Sequence, residues 1–325
     1  MTPWRYVLCM LFLTGCSGGE QKAVPGSSPK DTSAAHPRAG SSVPEFDGQR
    51  AFSFLLGQTA FGPRNPNSDG HRGCLRYLAD ELRSRTPEVL LQEFMEAGYD
   101  GEALPLTNIL ASFRPDLTER ILLCAHWDTR PRAEQDENKD RRNQPIIGAN
   151  DGASGVAVLL ELARLFHEQP PPVGVDIVLF DGEDYGKEGD LTRYLLGSRH
   201  FARTIDRAAL PSFGILLDMV GDAFLDLPRE GHSVRYAPDV VDLVWGTAHR
   251  LGFTEFLDEI GPEIYDDHVP LNEAGIKTID LIDFNYPDPT NRFWHTHQDI
   301  PENCSAQSLG TVGTVLAAVV YSRGH

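Results

Sequence analysis

Six apolar runs of strand length recur along the chain, at Val89–Phe94, Ile109–Phe113, Ile121–Ala125, Val175–Phe180, Gly214–Val220 and Thr278–Phe284. Helical patterns lie between and around them, the best at Cys74–Ser84, Ala153–His167, Val240–Leu251 and Ser305–Tyr321. Buried strands alternating with helices predict an α/β fold, a doubly wound sheet with helices packed on it. Ligands in such folds bind outside the carboxyl ends of the strands. Those ends are therefore where chemistry is to be sought.

Composition agrees with a large core: of 325 residues, 41% are hydrophobic and 23% charged, which excludes wholesale disorder. With 29 basic against 47 acidic side chains the formal net charge is −18, which argues against binding a phosphate backbone, so no nucleic-acid partner is expected. Beyond the first residues no apolar stretch approaches the roughly 18 to 20 residues of a spanning helix. From Phe46 onward there is neither a repeat nor a long linker, so residues 46–325 are expected to form one catalytic domain, with Glu134–Pro145 a charged loop within it.

The first residues carry export grammar: Arg5, a short apolar run Tyr6–Leu13, then Thr14-Gly15-Cys16 and small residues. The segment resembles a bacterial lipoprotein signal, in which a Leu-Thr-Gly-Cys box is cut before a cysteine that becomes acylated. The plainer alternative is an ordinary secretory signal. The expectation is a signal peptide at 1–15, a lipidated flexible tether at 16–45 rich in Gly, Ser, Pro and Ala, and a location outside the cytoplasm, anchored to a bacterial membrane on its periplasmic or cell-surface side. Cleavage leaves Cys74, Cys124 and Cys304, too few for a disulfide framework; one bridge is open among them, and Cys124 sits in an apolar run as a core thiol would.

Six polar clusters punctuate the apolar pattern. His126 and Asp128 sit two apart where a strand ends, so the imidazole could bind a metal while the carboxylate orients its ring. Asp151 lies in Gly148-Ala149-Asn150-Asp151-Gly152, where its carboxylate could face a metal, although Asn and Asp before a helix are also ordinary caps. Asp181-Gly182-Glu183-Asp184 follows another strand; Gly182 lets the chain leave the strand so that one acid binds metal and its neighbour acts as general base. Asp218 interrupts an apolar strand and needs a cation or several donors once buried. Tyr265-Asp266-Asp267-His268 and Trp294-His295-Thr296-His297 complete the set. Any one could be a solvated turn, but six at the strand ends of one sheet point to a shared site. Histidine and carboxylate donors without a cysteine cluster suit a catalytic zinc, whereas magnesium favours oxygen ligands alone.

With these motifs the chain from about Ala51 to Tyr321 resembles the zinc-dependent glutaminyl cyclases of the animal type, which share a mixed central β-sheet fold with the co-catalytic zinc aminopeptidases. The superfamily motifs are His126-x-Asp128, Asn150-Asp151-Gly152, Glu183-Asp184, Leu217-Asp218-Met219 and His295; the cyclase branch is favoured by Phe180-Asp181-Gly182-Glu183-Asp184, Leu196-Gly197-Ser198-Arg199-His200, Asp266-Asp267-His268 and Phe293-Trp294-His295-Thr296. The resemblance implies one zinc held by Asp151, Asp184 and His295, with Glu183 as acid/base residue, Asp218 and Asp266 as its hydrogen-bond partners, and Trp294 as a wall of the substrate pocket. In an aminopeptidase His126 and Asp218 would complete a second zinc site. Two departures stand out: Asp184 replaces the usual Glu, and Asp280 stands where a His is expected.

The implied reaction converts an amino-terminal glutaminyl residue of a peptide or protein to pyroglutamyl, releasing ammonia. The implied chain is a monomer that meets the membrane only through its lipid. The alternatives are a two-zinc aminopeptidase and a noncatalytic receptor on the same fold, the latter disfavoured because no superfamily metal position is lost.

Overall fold

A computed structural model describes residues 43–187 and 189–324; the expected signal peptide at 1–15 and all but the last residues of the 16–45 tether lie outside the described residues. In chain order the elements are α1 (Gly48–Thr59), α2 (Asp69–Arg83), β1 (Val89–Ala97), β2 (Ala103–Phe113), β3 (Arg120–His126), α3 (Ser154–Glu168), β4 (Gly174–Phe180), α4 (Leu196–Thr204), β5 (Phe213–Asp218), β6 (Leu227–Arg229), α5 (Gly231–Tyr236), α6 (Pro238–Leu251), β7 (Phe256–Ile260), α7 (His268–Glu273), β8 (Thr278–Ile282) and α8 (Ala306–Tyr321). Six strands form a mixed sheet in the order β1-β2-β4-β3-β5-β8. The β1/β2 and β2/β4 pairs are antiparallel, while β3/β4, β3/β5 and β5/β8 are parallel. The short β6 and β7 pair separately.

The period-two alternation of side chains explains why both faces of the sheet are covered. Ile121, Leu123, Ile177, Ile215 and Leu217 point to one face, where α1, α3, α6 and α8 supply Leu55, Val156, Val244 and Val312. Leu122, Cys124, Val178 and Leu216 point to the other, against Phe201 of α4 and Leu271 of α7. The central strands are therefore apolar along most of their length, as parallel strands between two helical layers tend to be. Helix α3 crosses so close to β5 that a Cβ added at Gly155 would stand 2.3 Å from the Leu217 carbonyl oxygen. Ser68 and Ser305 cap α2 and α8 with their hydroxyls, each cap worth about 1 kcal/mol.

Pro105 lies within β2, yet β4 pairs only with Ile109–Phe113, so the proline occupies a stretch with one free edge. Cys74, Cys124 and Cys304 are all free thiols, and Cys124 is buried as its apolar run implied. Among the described residues no helix is long and apolar enough to cross a membrane. The parallel register brings His126 opposite Phe180 and Asp218 opposite Ile282, so the carboxyl ends of β3, β4, β5 and β8 form a single rim.

Candidate metal centre

Tight turns carry the polar residues from these strand ends into one place. Beyond β4, Gly182 adopts a left-handed φ of 72°, which turns the chain out of the strand before Glu183 and Asp184. The carboxylate of Asp128 accepts the amides of both residues, at 3.0 Å from Glu183 and 3.3 Å from Asp184, and so fixes the turn. Its Oδ1 also lies 3.6 Å from Nδ1 of His126. Asp299 does the same for the Asn150-Asp151 loop, accepting the amides of Asn150 at 2.7 Å and Asp151 at 3.2 Å and the Tyr286 hydroxyl at 3.0 Å. Two non-glycine residues at the site, Met219 and His295, hold left-handed φ values of 50° and 53°. Such strain persists where the surroundings enforce it; at His295 they include the Trp294 ring stacked at 3.6 Å between centroids and the Gln135 amide bonded to the His295 carbonyl.

Two donor sets result, His126 with Asp151 and Asp218, and Asp151 with Asp184 and His295, the ligand atoms of each lying within 4.8 Å of one another. Nε2 of His126 is 3.2 Å from Oδ1 of Asp151 and 3.1 Å from Oδ1 of Asp218. Nε2 of His295 is 3.6 Å from Oδ2 of Asp151 and 3.4 Å from Oδ1 of Asp184. Asp151 thus turns one oxygen to each set. Burial and the neighbouring Asp184 push the Asp151 carboxyl up. Burial likewise opposes ionisation of Asp184, but Arg130 and His295 hold its carboxyl well below the usual range. For His126, burial works against protonation and is outweighed by Asp218, Asp128 and Asp151, which raise it well above the ordinary imidazole value.

The residues fit a metal. Asp184 Oδ2 is buried without a hydrogen-bond partner, and a buried polar atom in a native interior is seldom left so. Carboxylates crowd the rim while, among the described residues, Arg130 is the only lysine or arginine lining the pocket there. A divalent cation relieves both conditions, and an imidazole and carboxylate set without thiolates suits zinc.

Glu183 belongs to neither set. It is buried, and burial together with Asp184, Asp266 and Asp267 raises its carboxyl well above the usual range against the pull of His126. Beside it opens a cavity of about 310 Å³ lined by Asp218, Asp266, Trp294 and His295, with Leu191, Tyr194, Ile282 and Phe284 forming apolar wall. No hydrogen bond joins Glu183 directly to Asp218 or Asp266; the three share the cavity. Asp267 accepts the Ser198 hydroxyl from α4. Asp280 is fully buried, with Oδ2 at 3.8 Å from Nδ1 of His268, whose own Nε2 stands 3.2 Å from Glu230.

The six clusters found in the sequence therefore converge. Sequence reasoning missed the supports around them: Asp299, Arg130, Tyr194 and Arg64, the last a fully buried guanidinium bonded to the carbonyls of Trp127, Ile147 and Gly148. Only spacing could have hinted at two of them, since Arg130 and Asp299 each follow a site histidine by four residues.

The model of peptidase family M28 matches residues 108–320. The chain is 24% identical over 315 residues to the mouse (Mus musculus) glutaminyl-peptide cyclotransferase-like protein, covering 85% of this chain and 76% of that protein. It is 29% identical over 296 residues to aminopeptidase YwaD of Bacillus subtilis (strain 168), covering 85% of this chain and 58% of the aminopeptidase. Among solved structures, that of Bacteroides thetaiotaomicron glutaminyl cyclase bound to N-acetylhistamine is 41% identical, with a TM-score of 0.83, and the match covers 87% of this chain and all 100% of the other. A fold with this strand order, the ordered set of site motifs and the family match over most of the domain lead to one conclusion: the chain belongs to peptidase family M28.

Proposed function

We propose that this protein is a zinc-dependent glutaminyl-peptide cyclotransferase, which closes the amino-terminal glutamine of a peptide or protein into pyroglutamate and releases ammonia. The observation that carries the reading is the likeness over 87% of the chain, at 41% identity, to a bacterial glutaminyl cyclase. The cavity supports it: about 310 Å³ with Trp294 and Phe284 on its wall suits one small folded side chain next to a metal set.

In this reading Asp151, Asp184 and His295 would hold a single zinc, which would supply Lewis acidity toward the side-chain amide carbonyl. Glu183, outside the ligand set, accepts a proton from the substrate α-amine as its nitrogen bonds to the side-chain amide carbon. It then returns the proton to the departing amide nitrogen, which leaves as ammonia. Trp294 and Phe284 confine the glutaminyl side chain so that amine and amide meet, an ordering that can supply several kcal/mol of the barrier reduction. Asp218 and Asp266 line the same cavity, where a carboxyl oxygen of each could accept a hydrogen bond from the arriving α-amine.

A two-zinc aminopeptidase is the second reading, favoured by one observation, the intact His126, Asp151 and Asp218 set beside the first. Incubating the soluble domain with zinc and a Gln-initiated peptide and weighing the product separates them. Loss of ammonia supports cyclisation; loss of a whole residue means hydrolysis. We further propose that Cys16 carries lipid and tethers the enzyme outside the cytoplasm, supported by the Leu13-Thr14-Gly15-Cys16 box.

A further inference from the structure

Aspartate at position 184 poses a geometric problem, because its side chain is one methylene shorter than glutamate and the missing reach must come from the main chain. We propose that Arg130 solves it as a positioning residue, clamping both the backbone and the carboxylate of Asp184 so that the short side chain is held at the metal set. The inference rests on the assignment of Asp184 as a metal ligand.

Arg130 is only 1% exposed. Its NH1 donates to the Asp184 carbonyl at 3.0 Å and to Asp184 Oδ1 at 2.7 Å, so one nitrogen fixes backbone and side chain together. Asp184 Oδ2 is left buried and without a protein partner. The guanidinium is itself held from the far side. Its Nε donates to Glu134 at 2.9 Å, its NH2 donates to Glu134 and, at 2.6 Å, to the Tyr194 hydroxyl, and its Cζ lies 5.0 Å from the Tyr194 ring centroid. Each of these contacts uses the rigid planar fork of arginine, which lysine lacks. Groups that orient a metal ligand in this way typically govern affinity by 10- to 100-fold.

Charge and orientation predict opposite results, which makes the inference decidable. A cation beside a zinc site repels the ion, so an Arg130 that were merely a neighbouring charge would tighten zinc binding when removed. A positioning Arg130 weakens it when removed. The experiment measures zinc affinity of the whole domain by competition with a chromophoric chelator, for wild type, Arg130→Gln, Arg130→Lys and Asp184→Asn, each below its melting temperature in chelator. Arg130→Gln is expected to bind zinc about 10- to 100-fold more weakly, and Arg130→Lys, which keeps the charge without the fork, to be weakened as well. Should Arg130→Gln fail to fold, the lysine variant carries the decision. Zinc affinity at or above wild type in either variant overturns the inference. Asp184→Asn separates its failure from that of the ligand assignment: if that variant loses zinc while both Arg130 variants keep it, the ligand stands and the clamp falls. If Asp184→Asn keeps wild-type affinity, the ligand assignment falls and takes the clamp with it.

Discussion

Glu183 and Asp184 are neighbours on one turn, and the proposed mechanism gives them different work, so changing each should fail differently. Glu183→Gln removes a carboxyl that belongs to neither donor set and lies no nearer than 3.8 Å to His126 Nδ1. The turn itself is retained, because Asp128 holds it through the backbone amide of residue 183 and not through its side chain. Loss of a general acid/base typically costs about 10²- to 10⁴-fold in rate, which at about 1.36 kcal/mol per decade is about 2.7 to 5.4 kcal/mol of transition-state stabilisation. Zinc content should be unchanged. The melting temperature should not fall, since the substitution removes a carboxyl that burial and the acids around it already disfavour as an anion. Asp184→Asn instead removes a candidate ligand and the partner of Arg130. Zinc affinity should drop, and part of the activity should return with excess metal. Steady-state kinetics on a Gln-initiated peptide, with elemental analysis of the same samples, reads both. The opposite pattern, in which Glu183→Gln loses zinc and Asp184→Asn keeps it, refutes the division of roles, and near-normal turnover in Glu183→Gln refutes the acid/base role.

His295→Ala should abolish tight zinc binding, and wild type should retain one ion per chain on elemental analysis; two ions, both needed for turnover, would favour the aminopeptidase reading. Gly155→Ala forces a Cβ against the Leu217 carbonyl, so thermal unfolding should show a loss of about 1 to 3 kcal/mol, and an unchanged transition would contradict the close packing of α3 on β5. Burial opposes ionisation of Glu230, yet His268, Ser233 and the Ile264 amide hold its carboxyl at about 2, against an ordinary 4.5. Its contribution to stability is therefore complete above about pH 4.5 and lost as pH falls toward 2, so the melting-temperature gap between wild type and Glu230→Gln should narrow across that window; a gap constant with pH would exclude the linkage. Cys16→Ser should release the protein from membranes or block its maturation, and unchanged membrane association in a fractionation would remove the lipid anchor.

Long-range order was legible where burial writes itself into sequence. The apolar runs that became β3, β4 and β5 are buried on both faces, so their hydrophobicity is continuous and their ends fall within a residue or two of the expected positions. Helices α3, α6 and α8 each present a long buried stripe and were found the same way. By contrast α5 and α7 are six residues each, too short to display a period, and α4 is read more easily as a motif than as a helix. The first half of β2 was missed because Ala103–Asn108 pairs on one side only and carries Pro105. At the candidate metal centre, the donor residues were visible because carboxylates and imidazoles at apolar strand ends are conspicuous. Their supports were not, since Asp299 and Arg64 act through backbone groups contributed by loops that only the folded chain brings near.

Asp151 sits between the two donor sets and gives an oxygen to each. Neither half of the centre can consequently be tuned in isolation: drawing its carboxylate toward His295 takes electron density and reach from the side of His126, and the reverse holds as well. A descendant of this scaffold need not acquire new residues to pass between hosting a lone ion and hosting a pair. It needs only a shift in how strongly the outlying donors, Asp218 on one flank and Asp184 on the other, compete for what that hinge carboxylate offers. Whether one ion or two would be held is thus linked through a single side chain that both donor sets share.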